Sequence, residues 1–181
     1  MARLKGVEAT VTQDEMFVSF LRDHHGSLYR TAYLLTGTHD RAEELLQDTM
    51  VRLYPRWDRV SIADSPVAYV RRTLVHAFIS EGRRPANRLL PLGTEHDQAG
   101  ARDAYAALDD RFELWPLLLT LPERQRASLV LRFYTDLPDA EIAATLGCRQ
   151  VTVRSLISRG LATLRRHQDQ LCPAPDPGGP A

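Results

Sequence analysis

The sequence predicts an all-α chain: two small helical domains, an N-terminal bundle and a C-terminal helix-turn-helix unit, joined by a flexible linker. Three observations carry that reading. Apolar residues recur at helical spacing along most of the chain, with no strand-like alternation and no internal repeat. A segment from Pro85 to Asp110 is poor in large apolar residues and holds Pro91, Gly93 and Gly100, so it divides the periodic stretches. Hydrophobic residues make up 44% of the 181, enough for two small cores. The domains are therefore expected at 14–84 and 112–168, with 85–111 as the linker and with 1–13 and 169–181 disordered.

Each element has its own signal. A first helix is expected from about Asp14 to Leu35, with Phe17, Phe20, Leu21, Leu28, Ala32 and Leu35 on its apolar side and Gly37 to end it. Asp40 and Glu43 have capping-box spacing for a second helix, which turns Ala42, Leu46, Thr49 and Leu53 inward and closes near Pro55 and Trp57. Asp58 to Ser65 is expected as a loop, with Trp57 packed in the core beneath it. Pro66 suits the first turn of a third helix that reaches about Arg83. In the second domain, Thr120 and Glu123 again have capping-box spacing, with Pro122 between them. Asp139 opens a short helix whose inward residues are Ile142, Ala143 and Leu146, and Gly147 supplies the tight turn. The last helix carries Val153, Ile157, Leu161 and Leu164 along one face.

Net charge is zero, yet the charge is unevenly placed. Between Arg149 and His167 stand five arginines and no acid; between Arg71 and Arg88 stand five arginines and only Glu81. Local fields rather than the total attract phosphate. That 22 of the 23 basic residues are arginine reads first as codon bias, because they are spread throughout the chain. Cys148 and Cys172 lack metal spacing, and His39 with Glu43 at i, i+4 has no second ligand cluster, so neither a disulfide framework, a metal nor a cofactor is expected. No apolar run approaches spanning length and no signal core opens the chain, which points to a cytoplasmic protein without membrane insertion. No catalytic triad order and no glycine-rich phosphate loop suggests an enzyme.

The small-polar and basic side of the last helix is what the DNA major groove requires of the second helix in such a unit. Four motifs in order strengthen this: Ala42-Glu-Glu-Leu-Leu-Gln-Asp-Thr-Met-Val-Arg-Leu53, Ala68-Tyr-Val-Arg-Arg72, Leu121-Pro-Glu-Arg-Gln-Arg126, and the helix-turn-helix. Together, over roughly residues 15 to 167, the chain resembles the extracytoplasmic-function (ECF) subfamily of bacterial sigma factors. The resemblance implies an N-terminal domain that meets the polymerase clamp and the promoter −10 element. It also implies a C-terminal domain that meets the polymerase flap and the −35 element. Core RNA polymerase and promoter DNA are the implied partners, and such factors are often held by an anti-sigma factor.

Carried onto this sequence, the resemblance assigns the clamp contact to Glu44, Gln47, Asp48 and Val51. These four lie together opposite the inward stripe of their helix. It assigns −10 DNA to Tyr69, Arg71, Arg72, His76, Arg83 and Arg84, which offer a stacking ring and a cationic track, with the Asp58–Ser65 segment as walls of a base pocket. It assigns the −35 element to Arg149, Thr152, Arg154, Ser155, Leu156, Ser158 and Arg159, with Arg165 and Arg166 on phosphate. His76, Ser80, Arg149 and Leu156 depart from the family pattern, so base preference is expected to move. The competing reading is a stand-alone helix-turn-helix regulator acting without polymerase; it would need a ligand pocket, receiver or dimerisation heptad that the N-terminal half lacks.

Overall fold

The structure, a computed structural model, describes residues 12–82 and 115–171, apart from the side chains of Trp115 and of residues 169–171. The linker expected at 85–111, Arg83, Arg84 and the two terminal segments lie outside the described residues. Among the described residues there are helices and no strands.

Helix α1 (Gln13–Thr36) begins at Thr12, whose hydroxyl accepts the Glu15 N–H while the Glu15 carboxylate takes the Thr12 N–H in return. Gly37 ends it in the left-handed region at φ 91°, its N–H bonding to the Tyr33 carbonyl. Helix α2 (His39–Leu53) corrects one expectation. Its cap is Thr38, in extended backbone and accepting the Arg41 N–H, so Asp40 already lies inside the first turn. A 3₁₀ turn at Tyr54–Arg56 follows, then a short helix α3 (Trp57–Ser61). The expected loop is thus half helical, because Trp57 and Val60 are buried one turn apart. Helix α4 (Pro66–Glu81) starts at Ser65, whose hydroxyl accepts the Ala68 N–H.

The first core forms where the apolar faces of these helices meet: Leu28 and Leu35 of α1, Leu46 and Leu53 of α2, Val70, Leu74 and Phe78 of α4. Each fully buried side chain of this kind stabilises by about 1.5–3 kcal/mol relative to exposure. Trp57 is fully buried beneath Phe17 and Phe20, with ring centroids 5.0 and 4.7 Å away, as expected.

The second unit opens with α5 (Trp115–Leu119) and α6 (Glu123–Leu129). Here Pro122, not Thr120, is the residue before the helix, and the Thr120 hydroxyl donates to the Leu117 carbonyl instead. The capping box does not form because α5 supplies Thr120 with a nearer acceptor. Helix α6 runs on into a π-helical turn at Val130–Tyr134, where the Thr135 N–H reaches the Val130 carbonyl five residues back. Then come α7 (Asp139–Leu146) and α8 (Gln150–Leu171), separated by Gly147 at φ 60°. Gly160 lets α8 approach α6: a Cβ there would stand 2.9 Å from a Leu129 methyl.

The two units pack on each other, and one apolar cluster runs from Phe20 through Phe78 to Ile142 and Val153. Arg126 fastens the seam. Its guanidinium donates to Leu35 O of α1 at 2.6 Å and to Leu119 O and Leu121 O, and it lies 5.6 Å from the centroid of the Phe78 ring. Carbonyls at two helix ends, which have no partner within their helices, are satisfied by one side chain. Gly37 permits the approach, since a Cβ there would stand 2.6 Å from a Leu119 methyl.

Candidate nucleic-acid interface

Helix α8 divides as its periodicity predicts. Val153 is fully buried and Ile157, Leu161 and Leu164 are half-buried, whereas Arg149, Thr152, Arg154, Ser158, Arg159, Arg165 and Arg166 are exposed. Ser155 is half-buried. Leu156 differs from the rest of the expected set, because it packs against the core and its side chain is partly taken by the interior. The Arg149 carbonyl accepts the Thr152 and Val153 N–H groups, so that residue starts the helix through its backbone. Arg166 folds back along the helix onto Thr163 Oγ1 and the Ala162 carbonyl. Arg154 is held from outside the helix by Asp139 of α7, through Nε at 2.9 Å. Sequence spacing did not foresee that pair.

On α4, Tyr69 is 43% exposed, which excludes simple core packing, and Arg72 is exposed beside it. The other two described members of the expected set point to the seam between the units. Arg71 is half-buried: burial lowers its pKa from the ordinary arginine value, and the Glu141 charge on α7 opposes that. His76 Nε2 lies 2.6 Å from the Thr145 carbonyl at the other end of α7. In this arrangement, then, the expected set is split between an open surface and a contact with the second unit.

On α2, Glu44, Gln47, Asp48 and Val51 are all exposed along one side, Val51 to 66%. Glu44 pairs with Arg41 at 2.9 Å, and Arg41 also reaches Glu81 on α4 at 3.4 Å. Just beyond Val51 stands a residue the sequence reading missed, Tyr54. It is exposed, edge-on to Phe17, and its hydroxyl donates to Asp14 at 2.6 Å. That bond, and then the Asp14 charge, raise the phenol's pKa above its ordinary value. Ile62, Phe133 and Val151 are further exposed apolar residues that no periodicity flagged.

His39 is explained without a metal, since its Nδ1 bonds to the Tyr29 hydroxyl at 2.6 Å and its ring stacks on Tyr33. Among the described residues no group of three or more His, Cys, Asp or Glu is placed to hold a metal ion. No described helix is long and apolar enough to cross a membrane.

Comparison with known proteins covers both units. Residues 20–88 match the family model for sigma-70 region 2, and residues 111–164 match that for sigma-70 region 4. The RNA polymerase sigma-E factor of Streptomyces avermitilis is 33% identical over 82% of this chain and 83% of its own length. The ECF RNA polymerase sigma factor SigL of Mycobacterium tuberculosis is 27% identical over 91% of this chain and 94% of its own. Among solved structures, the sigma factor RpoE of Bartonella quintana, in complex with the anti-sigma factor NepR, shares the fold. Its TM-score is 0.64 at 23% identity, covering 86% of this chain and 96% of that one. The extracytoplasmic-function sigma factor SigJ of Mycobacterium tuberculosis gives a TM-score of 0.61 at 26% identity, covering 81% of this chain and 52% of that one. A stand-alone regulator would match in its helix-turn-helix alone, whereas here both halves match in order. The chain therefore belongs to the ECF group of the sigma-70 family, the promoter-recognising sigma factors of RNA polymerase.

Proposed function

We propose that this chain directs core RNA polymerase to its promoters through three separate surfaces. The exposed side of α8 reads the −35 element, the α4 surface around Tyr69 and Arg72 takes −10 DNA as strands separate, and the outer side of α2 docks on the polymerase. The observation that carries the reading is the division of α8: an apolar stripe held by α6 and α7, and opposite it a run of arginines and hydroxyls with no acid. Such a face supplies both phosphate neutralisation and base-edge donors.

The polymerase surface rests on α2, where Gln47, Asp48 and Val51 stand exposed as an acidic face with one apolar centre. The α4 surface rests on Tyr69, because a half-exposed ring is available for stacking against an unpaired base. Arg71 and His76 join that surface only when α4 parts from α7. Domain limits of 14–84 and 112–168 and the 85–111 linker remain part of the proposal. So do action in the cytoplasm, the absence of enzymatic activity from the chain itself, and control by an anti-sigma factor.

The test is run-off transcription and footprinting with the full chain. Specific promoter protection and transcripts should appear only when chain and core polymerase are mixed. A specific footprint from the chain alone overturns the proposal in favour of a regulator.

A further inference from the structure

Arg154 is one of the most exposed arginines of α8, yet its side chain is not left to wander. Its Nε donates to Asp139 Oδ2 at 2.9 Å, from a residue fifteen positions earlier in the chain. Asp139 is itself held. Its Oδ1 lies 3.4 Å from Arg132 Nη2, and Arg132 is anchored in turn by its Nη1 bond to the Leu137 carbonyl at 3.1 Å. The carboxylate side chain is only 16% exposed, against 71% for Arg154. Thus the anchor is sunk into the protein and the guanidinium stands out from it. With Nε engaged, no hydrogen bond within the protein takes up the Nη edge, the edge that matches guanine O6 and N7.

We propose that Asp139 is a positioning residue for promoter recognition: it fixes Arg154 so that the Nη edge meets a guanine of the −35 element. This rests on the assignment of α8 to that element. A free arginine loses its rotamer freedom on binding, whereas one already braced loses less, so the brace raises affinity for the matching base. The carboxylate also keeps the guanidinium from swinging toward phosphate, which gives the contact its selectivity.

The experiment uses full-length chain with core polymerase and a promoter duplex selected by the wild-type holoenzyme from a random pool, together with every single-base change across its −35 segment. Arg154→Ala should lower affinity for the selected duplex about tenfold or more and flatten preference at one base pair. Asp139→Asn should lower it about two- to tenfold at that same base pair, the range expected from freeing one long side chain. The double variant should be no weaker than Arg154→Ala, and Asp139→Glu, which restores a carboxylate, should recover part of the preference. If Arg154→Ala flattens one position while Asp139→Asn weakens all duplexes equally, flattens a different position or changes nothing, the brace is overturned and the assignment of α8 stands. If Arg154→Ala leaves every −35 preference intact, the contact itself is wrong and the brace falls with it. Should Asp139→Asn unfold, Asp139→Ser, well tolerated where a helix begins, makes the same comparison.

Discussion

At the scale of single residues, exposure separates binding chemistry from stability. Asp48 and Val51 protrude from α2 with their backs to a core they do not enter. Asp48→Arg should therefore weaken core-polymerase binding, read by fluorescence anisotropy, while shifting stability by less than about 0.5 kcal/mol. Unchanged affinity would remove α2 from the polymerase contact. Arg159 and Arg166 make a second contrast. Arg166 lies back along α8 and should act on phosphate, so Arg166→Ala should weaken all duplexes alike and reduce the salt slope by about one ion. Arg159→Ala should instead cost about 1–3 kcal/mol at one base pair, and a uniform loss would reassign it to the backbone. The exposed face of α8 was legible in the sequence because a 3.6-residue period sorts inward from outward positions. Leu156 was misplaced because it sits at the edge of that stripe, where a few tens of degrees of rotation decide between groove and core.

At the scale of elements, helix bodies were legible and their starts were not. Periodicity placed α1, α2, α4, α7 and α8, since burial of a stripe constrains every turn. Caps depend on one side chain and one backbone torsion, and at two sites a neighbouring residue won: Thr38 over Asp40, and Pro122 over Thr120. Thr38→Ala should cost about 1 kcal/mol, measured by chemical denaturation, as the loss of a helix cap does. Asp40→Ala should cost much less, reversing what sequence spacing suggests. Nor did the sequence flag the close pass of α8 over α6. Gly160→Val would drive methyls into Leu129 and should destabilise by about 1–3 kcal/mol, visible as a lowered Tm. An unchanged Tm would mean the two helices separate readily.

At the scale of the whole molecule, the packed arrangement and the promoter set incompatible demands. The two promoter elements are about 25 base pairs apart by their names, or about 85 Å of duplex at 3.4 Å per step. Yet α4 touches α7 directly, through His76 and the Thr145 carbonyl at 2.6 Å. The units must part before both elements are bound. His76→Ala removes a bond that serves only this seam, so it should raise the population of separated units, seen as a larger radius of gyration by small-angle scattering. The reference is about 16 Å for a compact chain of this length. An unchanged radius would mean that Arg126 alone suffices to hold the seam. None of this contact was readable in advance, because it joins residues 69 and 91 positions apart through backbone carbonyls, which every residue possesses.

The π-helical turn at Val130–Tyr134 carries a consequence for insertions and deletions. A π turn holds one residue more than the α-turn it replaces, so removing one residue there would let α6 close with ordinary geometry. Everything downstream would then swing by about 100°, the angle one residue subtends on an α-helix. Side chains on α8 would be unchanged in identity and pointed elsewhere. The heading of the DNA-reading helix is thus set by a count of residues in a turn that touches no DNA, and a library of length variants would find it more sensitive there than any library of substitutions.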